Sequence, residues 1–71
     1  MNRYLLFCGD DYYPSRRWRF AGDFPTMVAA IERLGEPDWW NILDTRTRQV
    51  YTSYQVNGDR MAWAAGIDAE G

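Results

Sequence analysis

The chain contains no histidine and no lysine, and only one cysteine, Cys8, in its 71 residues. Without histidine it lacks the side chain that titrates nearest neutral pH and most often acts as a general base. A lone cysteine forbids an intrachain disulfide and, with no histidine beside it, a zinc site of the usual Cys/His kind. A reducing, cytoplasmic compartment is the expected home of such a chain. Long apolar runs are missing as well. No run is longer than the five residues from Tyr4 to Cys8, far below the ~18 residues a membrane span needs, and below a secretory core. Neither a membrane nor an export route is therefore expected.

The balance of charge excludes a further class. Ten acids against eight bases give a formal charge of −2, so there is no general attraction for nucleic acid or anionic lipid. All eight bases are arginine, which leaves every cation a planar group able to stack and to bind bidentately.

What is abundant is the aromatic ring. Four Trp, five Tyr and three Phe can each bury roughly 150 to 250 Å². A chain this short buries only about 60% of the surface its unfolded form exposes. Large rings let its one core exclude water without disulfides or metal. Rings left outside are the residue types enriched at interface hot spots.

The organisation is that of one unit without repeats, a single domain over residues 1–66 followed by a flexible C-terminal tail, 67–71. Arg3 to Cys8 reads as a central strand ended by Gly9, Asp10 and Asp11. Arg17, Trp18, Arg19 and Phe20 alternate toward Gly22 as a half-buried strand. Phe24, Met27, Val28, Ile31 and Leu34 share one face of a helix. Its cap falls at Asp23, Phe24 or Thr26, and Gly35 with Pro37 stops it. Trp39 to Asp44 is a strand, Asp44 to Arg48 a polar turn, and Gln49 to Val56 a strand that places Tyr51 on the exposed face. Asn57 and Gly58 suggest a hairpin turn into a fifth strand, Asp59 to Ala64; the alternative is a short helix capped by Asp59 and stopped by Gly66.

This order predicts an α+β domain, a mostly antiparallel sheet of four to five strands with one helix on one face (ββαββ, with a possible fifth strand). One helix cannot shield two faces. Rings such as Trp39 or Trp40 and Tyr51 are then available to loops, to a second copy or to a partner.

Chemistry-bearing motifs are few. No serine elbow, phosphate-cradling glycine loop or paired-cysteine motif occurs. The reading is therefore of a non-enzymatic binding protein with no cofactor and no metal. Cys8 reads as a small buried hydrophobe and Asp10 with Asp11 as solvated turn acids. Tyr12, Tyr13, Arg16, Arg17, Trp18, Arg19 and Phe20 interleave guanidinium groups with rings, the mixture that stacks single-stranded bases. Asp10, Asp11 and Asp23 flank it, so direct nucleic-acid binding is the alternative and not the leading mode. Asp10, Asp11, Asp23, Glu32, Glu36, Asp38 and Asp44 form either a partial phosphate-like acidic surface or scattered solubilising charge.

The run YLLFCGDDYYP, the helix opening after GDF, and WWNILDTRT resemble a pattern in short bacterial and phage reading frames spanning roughly residues 3 to 48. Arg16 and Arg17 stand where that pattern has a glycine pair. In size, acidity and aromatic richness the chain also resembles phage-encoded anti-CRISPR proteins, the small inhibitors of type I surveillance complexes. That resemblance is one of format and carries over no residue roles. It implies a stoichiometric inhibitor in the host bacterial cytosol that docks on a Cascade subunit and blocks target DNA. The expected partner-binding residues are Asp10, Asp11, Tyr12, Tyr13, Arg16, Arg17, Arg19, Asp23 and Tyr51, and a homodimer is a further expected form.

Overall fold

In a computed structural model, residues 1–10 and 18–71 of the chain are described. Six elements follow in order: β1 (Tyr4–Gly9), β2 (Trp18–Phe24), α1 (Met27–Leu34), β3 (Trp39–Asp44), β4 (Val50–Thr52) and α2 (Arg60–Glu70). The strands form one sheet in the order β2-β1-β3-β4, every pair antiparallel. The domain is α+β, as its sequence pattern implies, with a second helix in place of a fifth strand.

Strand β1 lies in the middle because its residues are apolar on both faces. Tyr4, Leu6 and Cys8 stand opposite Asp44, Ile42 and Trp40 of β3, and Ile42 stands opposite Tyr51 of β4. These residues share the face on which the core lies: Tyr4, Leu6, Cys8, Trp40 and Ile42 are buried together with Met27, Ala30, Ile31 and Leu34 of α1 and Ala64 of α2. At edge strand β2 the register shifts between Leu6 and Phe7, so that Ala21 is the extra residue of a β-bulge. Gly22 beside it takes φ +133°, a conformation that side chains with a Cβ rarely adopt.

Helix α1 begins at Thr26, whose Oγ1 accepts from the Ala29 amide at 3.1 Å. The cap is thus Thr26, because Phe24 is still paired with Tyr4 in the sheet. Gly35, at φ 72°, ends the helix. The expected strand from Gln49 to Val56 is shorter. It stops at Thr52, where the Gln55 side chain accepts from the Thr52 amide at 3.2 Å and Ser53–Gln55 coil into a 3-10 turn.

The segment after Gly58 corrects the expected fifth strand. Asp59 accepts from the amides of Met61 (2.9 Å) and Ala62 (3.4 Å) and starts α2, which runs through Gly66 to Glu70. A helix-interior glycine costs about 1 kcal/mol, and tertiary contacts on both sides of Gly66 offset it. Before it, the Trp63 ring meets Trp40 and Tyr51. After it, Asp68 accepts from the amides of Met27 (2.8 Å) and Val28 (3.1 Å). Residues 67–70, expected in a tail, are therefore the last turn of α2, and the Gly71 carbonyl accepts from Arg46 at 3.2 Å.

Candidate functional site

Both helices lie on the same side of the sheet, so that among the described residues no helix covers the other, open side. On that open face stand Leu5 and Phe7 of β1, Trp18, Phe20 and Asp23 of β2, Trp39, Asn41 and Leu43 of β3, and Val50 and Thr52 of β4, as the strand pairing dictates. Trp18 is 67% exposed, Phe20 52% and Val50 48%. Phe7 is half-buried because Trp18 and Phe20 lean on it, with ring centroids 6.3 Å and 5.4 Å away. Leu5 and Leu43 face one another in the next row, with Val50 beside Leu43.

The described strand residues of this face carry one charge, Asp23, whose carboxylate accepts from the Asn2 amide at 2.5 Å. The other charged residues of the described strands, Arg19 and Asp44, stand on the helix side, opposite Cys8 and Tyr4. The described residues of this face thus form a largely apolar surface.

The residues expected to bind a partner are distributed differently. Asp11, Tyr12, Tyr13, Arg16 and Arg17 lie outside the described residues. Asp10 is exposed just past β1. Arg19 is exposed on edge strand β2 but stands opposite Cys8, on the helix side of the sheet. Asp23 is half-buried on the open face.

Tyr51 is a correction, since it belongs to the helix side. It stands opposite buried Ile42, meets Trp63 edge-on at 5.8 Å, and is half-buried, so Val50 and Thr52 take the open side instead. Burial pushes its phenol above the ordinary value, with the Asp44 carboxylate adding to the effect.

Asp44 also leaves the acidic surface to which it was assigned. It is 1% exposed and is held by Arg3 through two hydrogen bonds of 2.8 and 2.7 Å. Of the paired tryptophans, Trp40 is buried and Trp39 faces out. Cys8 is buried at 1% exposure, in the position of a core residue.

The described residues include no enclosed pocket and no group of three side chains suited to a metal ion. None of the described helices is long and apolar enough to cross a membrane. No family model matches the chain, and neither a curated protein nor a solved structure matches it.

Sequence reasoning offered Trp18 and Phe20 only for the nucleic-acid alternative, left them out of the expected partner-binding residues, and missed Leu5, Leu43 and Val50. The signal was there: β1 is apolar at successive positions, which ordinarily requires cover on both faces, and the sequence offers too few helices to provide it.

Proposed function

We propose that this chain is a non-enzymatic protein-binding domain that engages protein through the open face of its sheet. The observation that carries the reading is the exposure of Trp18, Phe20 and Val50 on one face with Leu5, Phe7 and Leu43 between them. Large apolar side chains held on a sheet are already ordered, so docking them costs little side-chain entropy, and their burial supplies the hydrophobic gain. Aromatic anchors of this type dominate measured interfaces.

The narrower form of the proposal is a phage-type stoichiometric inhibitor acting in a bacterial cytosol, docking on a Cascade subunit and keeping target DNA out. Small size, net acidity and ring-rich composition support it, and Arg19, exposed on the helix side of edge strand β2, is available for a second contact.

A photo-cross-linking benzophenone side chain in place of Phe20 tests the general form, with the same group in place of Tyr54, which is 88% exposed, as control. Cross-links from position 20 to protein, a second copy of the chain included, are expected, with position 54 silent. Absence of any protein adduct at position 20 removes the reading. The narrower form is checked by titrating the chain into a type I surveillance complex. Target-DNA binding is expected to fall in proportion to the chain added, and unchanged DNA binding rejects the inhibitor. Tight binding of single-stranded DNA by the chain alone at near-physiological salt would favour the nucleic-acid alternative.

A further inference from the structure

We infer that the partner of the open face is a second copy of this chain, two sheets stacking face to face with their helices outside. This rests on the reading that the open face engages protein, and it adds the identity of what covers it.

Three observations select a second copy. The first is charge. An isologous interface sets every charge near its own copy, so a face with several like charges repels itself. Among the described strand residues of this face only Asp23 is charged, and it accepts a hydrogen bond from the Asn2 amide.

The second is shape. The β2 side of the face carries Trp18 and Phe20 and leans on Phe7, whereas the β4 side carries Val50 and Thr52. The β2 edge is thus bulky and the β4 edge low, with the half-buried Trp39 ring of β3 standing in the row of Gly9. A two-fold axis parallel to the strands lays the β2 edge of one copy over the β4 edge of the other. Bulky residues then meet small ones, as close packing between two sheets about 10 Å apart requires.

The third is area. The exposed parts of these side chains offer on the order of 600 Å² per copy, which places the pair at the lower end of specific interfaces. The dimer is accordingly expected to be reversible and concentration-dependent. Arg19 stays outside it, on the helix side, so a dimer still presents it to a different molecule.

The test is the mass of the full chain in solution by sedimentation and light scattering over a dilution series. Wild type is expected at twice the 8.4 kDa monomer when concentrated, dissociating on dilution. Phe20→Arg and Val50→Arg, at opposite edges of the face, are each expected to weaken association at least tenfold with an unchanged circular dichroism spectrum, while Tyr54→Arg leaves it intact. Because rotation about that axis keeps each residue in its own row, Phe20 lies over Thr52 of the other copy, and mixing a Phe20→Arg chain with a Thr52→Glu chain is expected to restore a heterodimer that neither forms alone. A dimer that survives both arginine substitutions overturns the proposal, and so does a mixture that fails to associate. A wild type that stays monomeric at the highest concentration overturns it too. In that event, cross-linking of position 20 to another protein leaves the open-face reading standing, and its absence removes both.

Discussion

Arg3 and Asp44 form a two-pronged pair between residues 41 positions apart in sequence, Nε donating to Oδ1 at 2.8 Å and Nη2 to Oδ2 at 2.7 Å. The pair ties the entry of β1 to the exit of β3. Asp44 does more than meet Arg3, since its Oδ1 also accepts from the amides of Arg46 (3.0 Å) and Thr47 (3.4 Å) and so shapes the turn to β4. The Arg3 guanidinium also lies 4.9 Å from the centroid of the Tyr4 ring. A buried carboxylate is tolerated because each of its oxygens finds a donor.

The Arg3 hydrogen bond, helped by the Arg46 amide and opposed by burial, holds the Asp44 carboxyl well below its ordinary value of 3.8. The unfolded chain therefore takes up this proton at a higher pH than the folded one, and acid favours unfolding. The stabilisation is complete above the ordinary value and drains away as pH falls through and below it. Urea midpoints of wild type are expected to stay level from about pH 7 to 5 and to drop below about pH 4. Asp44→Asn, which keeps the shape but removes the charge, is expected to cost about 2 to 3 kcal/mol at neutral pH and to flatten the acid limb. A variant with the acid slope of wild type rules this out.

A second carboxylate acts between the helices. Asp68 accepts from the amides of Met27 and Val28, the first residues of α1, which have no partner within their own helix. The last turn of α2 is thus a cap supplied in space, beside the local cap from Thr26 to Ala29. Asp68→Ala is expected to destabilise the fold by about 1 to 2 kcal/mol in urea titrations, at the upper end of single-cap losses because two amides lose their acceptor at once. Asp68→Asn should recover part of the loss. Equal stability of Asp68→Ala and wild type would mean that the α1 amides are satisfied without it.

These contacts explain how far the sequence could be read. Strand β3 has its expected bounds, Trp39 and Asp44, because bulky residues follow a proline and precede a polar turn. The face of helix α1 was legible for the same kind of local reason, with Met27, Ile31 and Leu34 buried at helical spacing. Facing across the sheet was not legible. Alternation separates Val50 from Tyr51 and Trp39 from Trp40, but which member points inward is set by their partners Ile42 and Cys8 on other strands. Helix α2 is a similar case. Gly66 is a sound local stop signal, and it is overridden by the reach of Asp68 to Met27, which no local pattern contains. In the candidate site the surplus of rings could be read from composition, whereas the choice of Trp18 and Phe20 depends on the register shift at Ala21.

Two glycines give opposite expectations for the same substitution. At Gly22 the backbone sits at φ +133°, and an added Cβ would lie 3.4 Å from the Phe24 ring. Gly22→Ala is therefore expected to lower stability by about 1 to 2 kcal/mol, from backbone strain and a tight contact. At Gly66 the residue is inside α2 and an added Cβ meets nothing within 4 Å. Gly66→Ala is expected to raise stability by about 0.5 to 1 kcal/mol, by helix propensity and lower entropy of the unfolded chain. Differential scanning calorimetry of both variants checks the pair, and shifts of the same sign would contradict it.

Trp63 joins α2 to the sheet, its ring 5.7 Å from Trp40 and 5.8 Å from Tyr51, nearly perpendicular to the tyrosine. The contact is aromatic on three sides of one corner, where Ala64 and Ile67 bring the helix close to the core. Trp63→Ala removes the ring and leaves Trp40 and Tyr51 facing the space it filled. Half-buried in the intact fold, Trp63 is expected to contribute about 2 to 3 kcal/mol, somewhat less than a fully buried tryptophan. Trp63→Phe keeps an aromatic contact and should lose less than half as much. Near-ultraviolet circular dichroism provides the specific readout, because loss of the tilted Trp40–Trp63 pair should reduce the aromatic signal even where Trp63→Phe remains folded. Loss of Tyr51 burial should at the same time bring its phenol titration back toward 10.0, from the raised value that desolvation imposes. A Trp63→Ala chain as stable as wild type, with the Tyr51 titration unmoved, would show that α2 is held by Asp68 alone.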